Sequence, residues 1–160
     1  MGIKLFIRQP FTETTERESS VIQGVLDVVQ SLNGKPYNLD LLTGVNAQNR
    51  DTFRSQFQQQ NGFAFTPQSF RSKRLKLIDE ADIMMVVRTS LSESGAFEVA
   101  YNVFGGKRAP IFFAIWKAAP IKTTLLQELD DLVQVTYITF DNPEEIAAPF
   151  VGFISQFEKS

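Results

Sequence analysis

Apolar and polar positions fall into two recurring periods along the chain. Leu5-Phe6-Ile7 is a short unbroken apolar run closed by Arg8-Gln9-Pro10, as a buried strand would be. After a polar stretch from Thr12 to Arg17, Val21, Val25, Val28, Val29 and Leu32 return at helical spacing, and Gly34-Lys35-Pro36 ends the helix they predict. Tyr37 to Leu42 predicts a second strand, interrupted by Asn38 and Asp40. Asn46 to Asn61 is polar and rich in Gln, and reads equally as an exposed helix or a loop. Thr66-Pro67 is a helix start, with Phe70, Leu75, Leu77 and Ile78 facing inward and Arg71, Lys73, Arg74 and Lys76 mostly outward. Asp82 to Arg88 is the clearest central strand. Ser92 or Ser94 caps the helix that follows, which ends at Gly105-Gly106. Pro110 to Trp116 predicts a strand, Pro120 to Leu132 a helix, and Val133 to Phe140 a last strand. Asn142-Pro143 opens a final helix to about Phe157.

Strands alternating with helices make a parallel sheet covered on both faces. Five strands without repeat or linker predict one α/β domain over residues 1–160, a flavodoxin-like doubly wound sheet of order 2-1-3-4-5. In that order the winding reverses between strands 1 and 3, and ligands bind in the crevice at their carboxyl ends. The two loops expected there are Arg8 to Thr12 and Arg88 to Glu98. Neither contains a phosphate-binding glycine loop, and strand 3 ends in Arg88 where a phospho-receiver has Asp.

Composition narrows the chemistry. Hydrophobic residues are 43% and charged residues 21% of 160, the balance of a folded domain. The net charge of −2 and a pI near 5.2 argue against nucleic acid or an anionic membrane as partner. With no Cys and no His, thiolate nucleophiles, imidazole bases and Cys- or His-ligated metals are excluded. No apolar run approaches the ~20 residues of a membrane helix. The first residues lack a signal-peptide pattern, so a cytoplasmic protein is expected. No cofactor and no metal are expected.

Glu98 stands out in the second loop. Phe97, Ala100 and Phe104 are expected to face the sheet, leaving Glu98 partly exposed beside the crevice, with Ser94 and Asn102 one turn away. A carboxylate there suits attack on, or stabilisation of, an oxocarbenium-like sugar carbon; a solvent-facing helical Glu is the plain alternative. Arg71, Lys73, Arg74 and Lys76 form a basic run that suits a nucleotide phosphate or a solvated helix face. Arg8 and Arg88, directly after apolar strands, each need a partner, with Glu98 and Glu93 at hand. Fifteen Phe, among them Phe112, Phe113, Phe150, Phe153 and Phe157, suggest a homo-oligomer or simply a large core. Trp116 at the end of strand 4 is placed to cover a base or to pack.

Three segments in register resemble the nucleoside 2-deoxyribosyltransferase family and its nucleotide N-glycosidase relatives. They are strand 1 running into Pro10-Phe11, the step Ile78-Asp79-Glu80-Ala81-Asp82-Ile83 into strand 3, and Ser94-Gly95-Ala96-Phe97-Glu98-Val99-Ala100-Tyr101-Asn102. The resemblance covers roughly residues 3 to 140 and implies cleavage or transfer of an N-glycosidic bond in a nucleoside or nucleotide, with Glu98 as nucleophile. Arg8, Gln9, Phe11, Arg74, Arg88, Ser94 and Asn102 would then bind the substrate, Phe11 by stacking on the base. Relatives in that family complete their sites across subunits, which again implies a homo-oligomer. The chain departs from the family at Gln9, where the family has Gly, at Ala100 and Asn102, where it has small residues after the Glu, and at Arg74, where it has its second acid. Glu93 would then replace that acid, unless the leaving group is already cationic. Ser92 followed by Glu98 also resembles the catalytic helix of TIR-type NAD-cleaving domains, without their Trp-Cys. A nucleotide-binding or sensing domain without catalysis is the further alternative.

Overall fold

The computed structural model describes residues 2–9, 15–34, 36–42 and 50–158, with the side chains of 50–53 left aside. Pro10, Phe11, residues 12–14 of the polar stretch after strand 1 and residues 46–49 of the Gln-rich stretch lie outside the described residues. Five strands, β1 (Ile3–Arg8), β2 (Leu39–Leu41), β3 (Ile83–Arg88), β4 (Ile111–Trp116) and β5 (Val135–Phe140), form one parallel sheet of order β2-β1-β3-β4-β5. This is the expected flavodoxin-like winding. The helices are α1 (Glu16–Leu32), α2 (Arg50–Asn61), α3 (Pro67–Glu80), α4 (Glu93–Ala100) and α5 (Ala147–Ile154).

Side-chain alternation along the strands sorts the core into two halves. Leu5, Ile7, Ile83, Met85, Val87, Phe112 and Ala114 face α1 and α5, against Ile22, Val25, Val29, Phe150, Phe153 and Ile154. Phe6, Met84, Val86, Ile111, Phe113 and Ile115 face Ile78 of α3 and Val99 of α4. Of the Phe residues expected to exceed the core, Phe112, Phe113, Phe150 and Phe153 are fully inside it. Trp116 is also core, with Arg17 stacked 5.0 Å from its ring. Gly24 on α1 lets Pro143 approach so closely that a Cβ there would sit 2.6 Å from Pro143 Cγ.

Local signals explain the helix starts. Thr15 and Thr66 each accept from the amide three residues on, and Glu18 and Ser69 return a bond to the cap backbone. The polar stretch before residue 62 resolves as helix α2, whose buried Phe57 gathers Phe63, Phe65 and Phe70 edge-on.

Two expected elements differ. Residues 120–132 do not form a helix but two 3₁₀ turns, Thr124–Leu126 and Leu129–Asp131, because Gln127 is extended and Glu128 takes the left-handed conformation at φ 51°. The stretch from Pro143 to Phe157 is α-helical only over Ala147–Ile154, with a 3₁₀ turn at each end.

Candidate functional site

Arg8 and Phe6 share one face of β1, since side chains alternate along a strand. Phe6 packs against α3 and α4, so the same alternation aims Arg8 at those helices. Its Nη2 donates to Ser92 Oγ at 2.8 Å, and its Nη1 donates to the Gln9 carbonyl. Ser92 Oγ also accepts from Gly95 N at 3.0 Å and so caps α4 while holding Arg8. The fit at Gly95 is close: a Cβ there would meet Ser92 Oγ at 3.2 Å and press on the capping hydroxyl, while Arg8 Nε at 3.6 Å would be in ordinary contact.

The buried stripe of α4 and of the π-helical turn after it, Tyr101–Gly105, consists of Gly95, Glu98, Val99, Asn102 and Val103. This reverses the expected orientation. Phe97 and Phe104 are 55% and 73% exposed and Ala100 is exposed, whereas Glu98 is 5% exposed. The helix is phased by Val99 and Val103, which pack under the sheet, and not by its aromatic residues. The π turn closes through Gly106 N donating to the Tyr101 carbonyl at 2.7 Å.

Arg74 also corrects the expectation of an outward basic face. It lies one turn before the buried Ile78 on the inner side of α3 and is only 7% exposed. Its guanidinium sits 4.6 Å over the Phe6 ring. Its Nε donates to Glu98 Oε1 at 3.0 Å and its Nη2 to Glu98 Oε2 at 3.1 Å, a fork-to-carboxylate pair. Arg8 Nε stands 3.4 Å from Glu98 Oε2, so Glu98 is the partner that Arg8 required. Burial lowers the Arg8 pKa, Glu98 opposes that shift and Arg74 adds to it.

Two hollows flank this charged cluster. A cleft of about 360 Å³ opens between α3 and α4, lined by Phe70, Arg71, Arg74 and Leu75 on one side and Glu93, Ser94, Phe97 and Glu98 on the other. A smaller hollow lies over the carboxyl ends of β3 and β4 and includes Arg8, Arg88, Ser90 and Ser92. The larger space is therefore between two helices and not over the sheet edge alone. At the ends of β1 and β3, Gln9 Oε1 and Thr89 Oγ1 are buried with no hydrogen-bond partner among the described residues. A buried orphan of this kind costs about 1–3 kcal/mol unless a ligand or water satisfies it.

The remaining expected site residues divide. Ser94 is exposed on the cleft wall beside Glu98. Arg88 lines the smaller hollow, but its Nε and Nη2 donate to the carbonyls of Ala119 and Pro120 at 3.0 and 3.1 Å, not to Glu98 or Glu93. Burial lowers its pKa. Asn102 is fully buried and clamps Ala109, accepting from its N at 3.0 Å and donating to its carbonyl at 2.9 Å. It lines neither hollow. Phe70 and Phe97 are cleft residues that sequence reasoning did not find, although Phe97 adjoins Glu98. Among the described residues no group of three or more metal-ligating side chains converges. No described helix is long and apolar enough to cross a membrane.

No family model matches the chain, and no curated protein matches it. Among solved structures, it is similar to a CMP N-glycosidase of Clostridium botulinum, BcmB, at TM-score 0.60 and 14% identity, covering 94% of this chain and 98% of that one. It is also similar to a 2-deoxyribosyltransferase of Bacillus psychrosaccharolyticus at TM-score 0.48 and 14% identity, covering 90% of each. The likeness to the first is one of fold: the chain is an α/β domain wound in the manner of the CMP N-glycosidase.

Proposed function

We propose that this protein cleaves the N-glycosidic bond of a nucleoside or nucleotide, with Glu98 as the carboxylate that meets the anomeric carbon. The observation that carries this reading is Glu98 itself, a buried acid held in fixed geometry on the wall of a cleft large enough for a small ligand. Resemblance at strand 1, at the entry to strand 3 and around Glu98 supports it, as does the fold shared with an N-glycosidase.

In the proposed reaction a Glu98 oxygen bonds to C1′ as the C1′–N bond breaks. The bonding pair leaves with the base, which takes a proton from Glu93 on the same cleft wall. Water then cleaves the glycosyl ester, giving its oxygen to C1′ and one proton back to Glu93, and Glu98 is again a free carboxylate. Arg74 and Ser94 on the cleft wall, with Arg8 from the neighbouring hollow, position the sugar and its polar substituents, and Phe70 and Phe97 flank the base. Gln9, Phe11 and Arg88 are kept as binding residues on the sequence reading alone, and Asn102, whose amide is spent on Ala109, is not kept. A soluble protein acting on small molecules as a homo-oligomer is part of the same proposal.

A second reading has one observation in its favour: both Glu98 oxygens are taken by Arg74, at the position of the family's second acid. A nucleotide-binding or sensing domain would hold its acid in this way. Chromatography of nucleosides, nucleoside monophosphates and NAD incubated with the protein separates the readings. Free base supports cleavage, and base from NAD alone favours the TIR-like activity. Thermal stabilisation by a nucleotide without base release favours sensing.

A further inference from the structure

We propose that Arg74 is a gate on Glu98, opened when an oxyanion of the substrate takes over the guanidinium fork; this rests on the reading of Glu98 as nucleophile. Glu98 cannot act as it stands. One oxygen accepts from Arg74 Nε and the other from Arg74 Nη2, with Arg8 Nε 3.4 Å from the second. A carboxylate bound at both oxygens by one planar cation has little electron density to offer a sugar carbon, and it is not free to turn toward one.

The group that can replace a carboxylate on a guanidinium fork is another oxyanion of matching geometry, and a phosphate monoester is the natural one. The cleft is built to admit it. Arg74 and Glu98 both line the α3–α4 opening, and the exposed Arg71 one turn earlier on α3 stands on the same wall. In a nucleoside 5′-phosphate only the ring oxygen, C4′, C5′ and the ester oxygen separate C1′ from phosphorus. One substrate can therefore place its phosphate on Arg74 and its anomeric carbon on the released Glu98. Binding energy from a part of the substrate that does not react is then used to arm the nucleophile. Neutral nucleosides, and water in the empty site, leave the pair closed.

The test uses the full chain and two measurements. In the first, base release from cytidine and adenosine is compared with release from CMP and AMP, with and without inorganic phosphite. The expected result is a kcat/KM at least about 100-fold higher for the monophosphates, and activation of nucleoside cleavage by phosphite of about tenfold or more. Arg74→Lys, which keeps the charge but loses the fork, is expected to raise nucleoside cleavage and abolish the phosphite effect. In the second, the Nε–H resonance of Arg74, assigned through the wild-type backbone, is followed by NMR while CMP or phosphite is added. It is expected to shift as the carboxylate partner is exchanged for the anion.

A resonance that stays in place at saturating CMP overturns the gate, whatever the turnover. Equal cleavage of nucleosides and monophosphates with no phosphite activation also overturns it, and leaves the glycosidase reading intact. A resonance that moves while no substrate releases base supports the anion exchange and removes the glycosidase reading instead.

Discussion

Glu98 is a buried charge whose cost is met by two guanidinium groups, and this sets what its replacement does. A partly exposed helical Glu tolerates Ala within about 0.5 kcal/mol. Glu98 is instead 5% exposed and paired with Arg74 and Arg8, so removing it leaves two cations in a desolvated site. Glu98→Ala is expected to cost about 3 kcal/mol of stability by urea denaturation, within the range for breaking a buried pair. A loss under 1 kcal/mol would mean that the pair is not formed in solution. The double variant Glu98→Leu with Arg74→Met is expected to be more stable than the two single losses added together, because both members of the fork go at once. Base release should fall at least about 1000-fold in Glu98→Gln, since no His or Cys exists to replace the carboxylate.

Ser92 shows how much one cap can carry at the scale of an element. Its Oγ accepts from Gly95 N and from Arg8 Nη2, so it both starts α4 and joins that helix to the end of β1. Ser92→Ala is expected to lose about 1–2 kcal/mol, measured by thermal or urea unfolding, and to loosen Arg8 against Glu98. Ser92→Thr keeps the oxygen and should recover most of that loss. The 121–132 segment depends on Tyr137 in a similar way. The phenol donates to the Leu126 carbonyl at 2.8 Å and accepts from Leu129 N at 3.2 Å. Burial raises its pKa above the ordinary value near 10; the Leu129 bond opposes that shift, and Asp130 and Glu128 add to it. A phenol whose folded pKa is raised binds its proton more tightly when folded. Its stabilisation is therefore complete below pH ~10 and is lost as pH rises through the folded value. Tyr137→Phe is expected to be about 1 kcal/mol less stable at neutral pH and to show a shallower loss of stability in alkaline solution. A wild-type stability that does not fall faster than that of the variant above pH ~10 contradicts this.

Among the described residues, three of the five exposed large apolar side chains lie where α4 meets solvent, the other two being Phe63 and Leu125. Leu91, Phe97 and Phe104 are 82%, 55% and 73% exposed along the loop, helix and π turn next to the cleft. If the homo-oligomer expected from the Phe content forms, this face is the proposed contact, and Phe97 already lines the cleft wall. Sedimentation equilibrium of the wild type should then report an oligomer that Phe104→Ser dissociates without loss of secondary structure. A wild type that remains monomeric at the highest accessible concentration removes the proposal.

The sheet was determined by the sequence alone. Apolar runs such as Leu5-Phe6-Ile7 and Met84-Met85-Val86-Val87, divided by helical periods, leave little choice but a parallel sheet, and chirality limits its winding. The same short-range pattern put Arg8, Ser94 and Glu98 near one another, since the ends of strands 1 and 3 must meet. The orientation of α4 and of Arg74 was decided by tertiary structure. Phe97, Ala100 and Phe104 make as good an apolar stripe as Val99 and Val103, and only packing against Phe6 and Ile111 selects the second. An Arg within a basic run gives no local sign that it is the inward one. Its place is fixed by Glu98, 24 residues away in the chain, because a buried carboxylate is stable only beside a cation and a buried cation only beside a carboxylate.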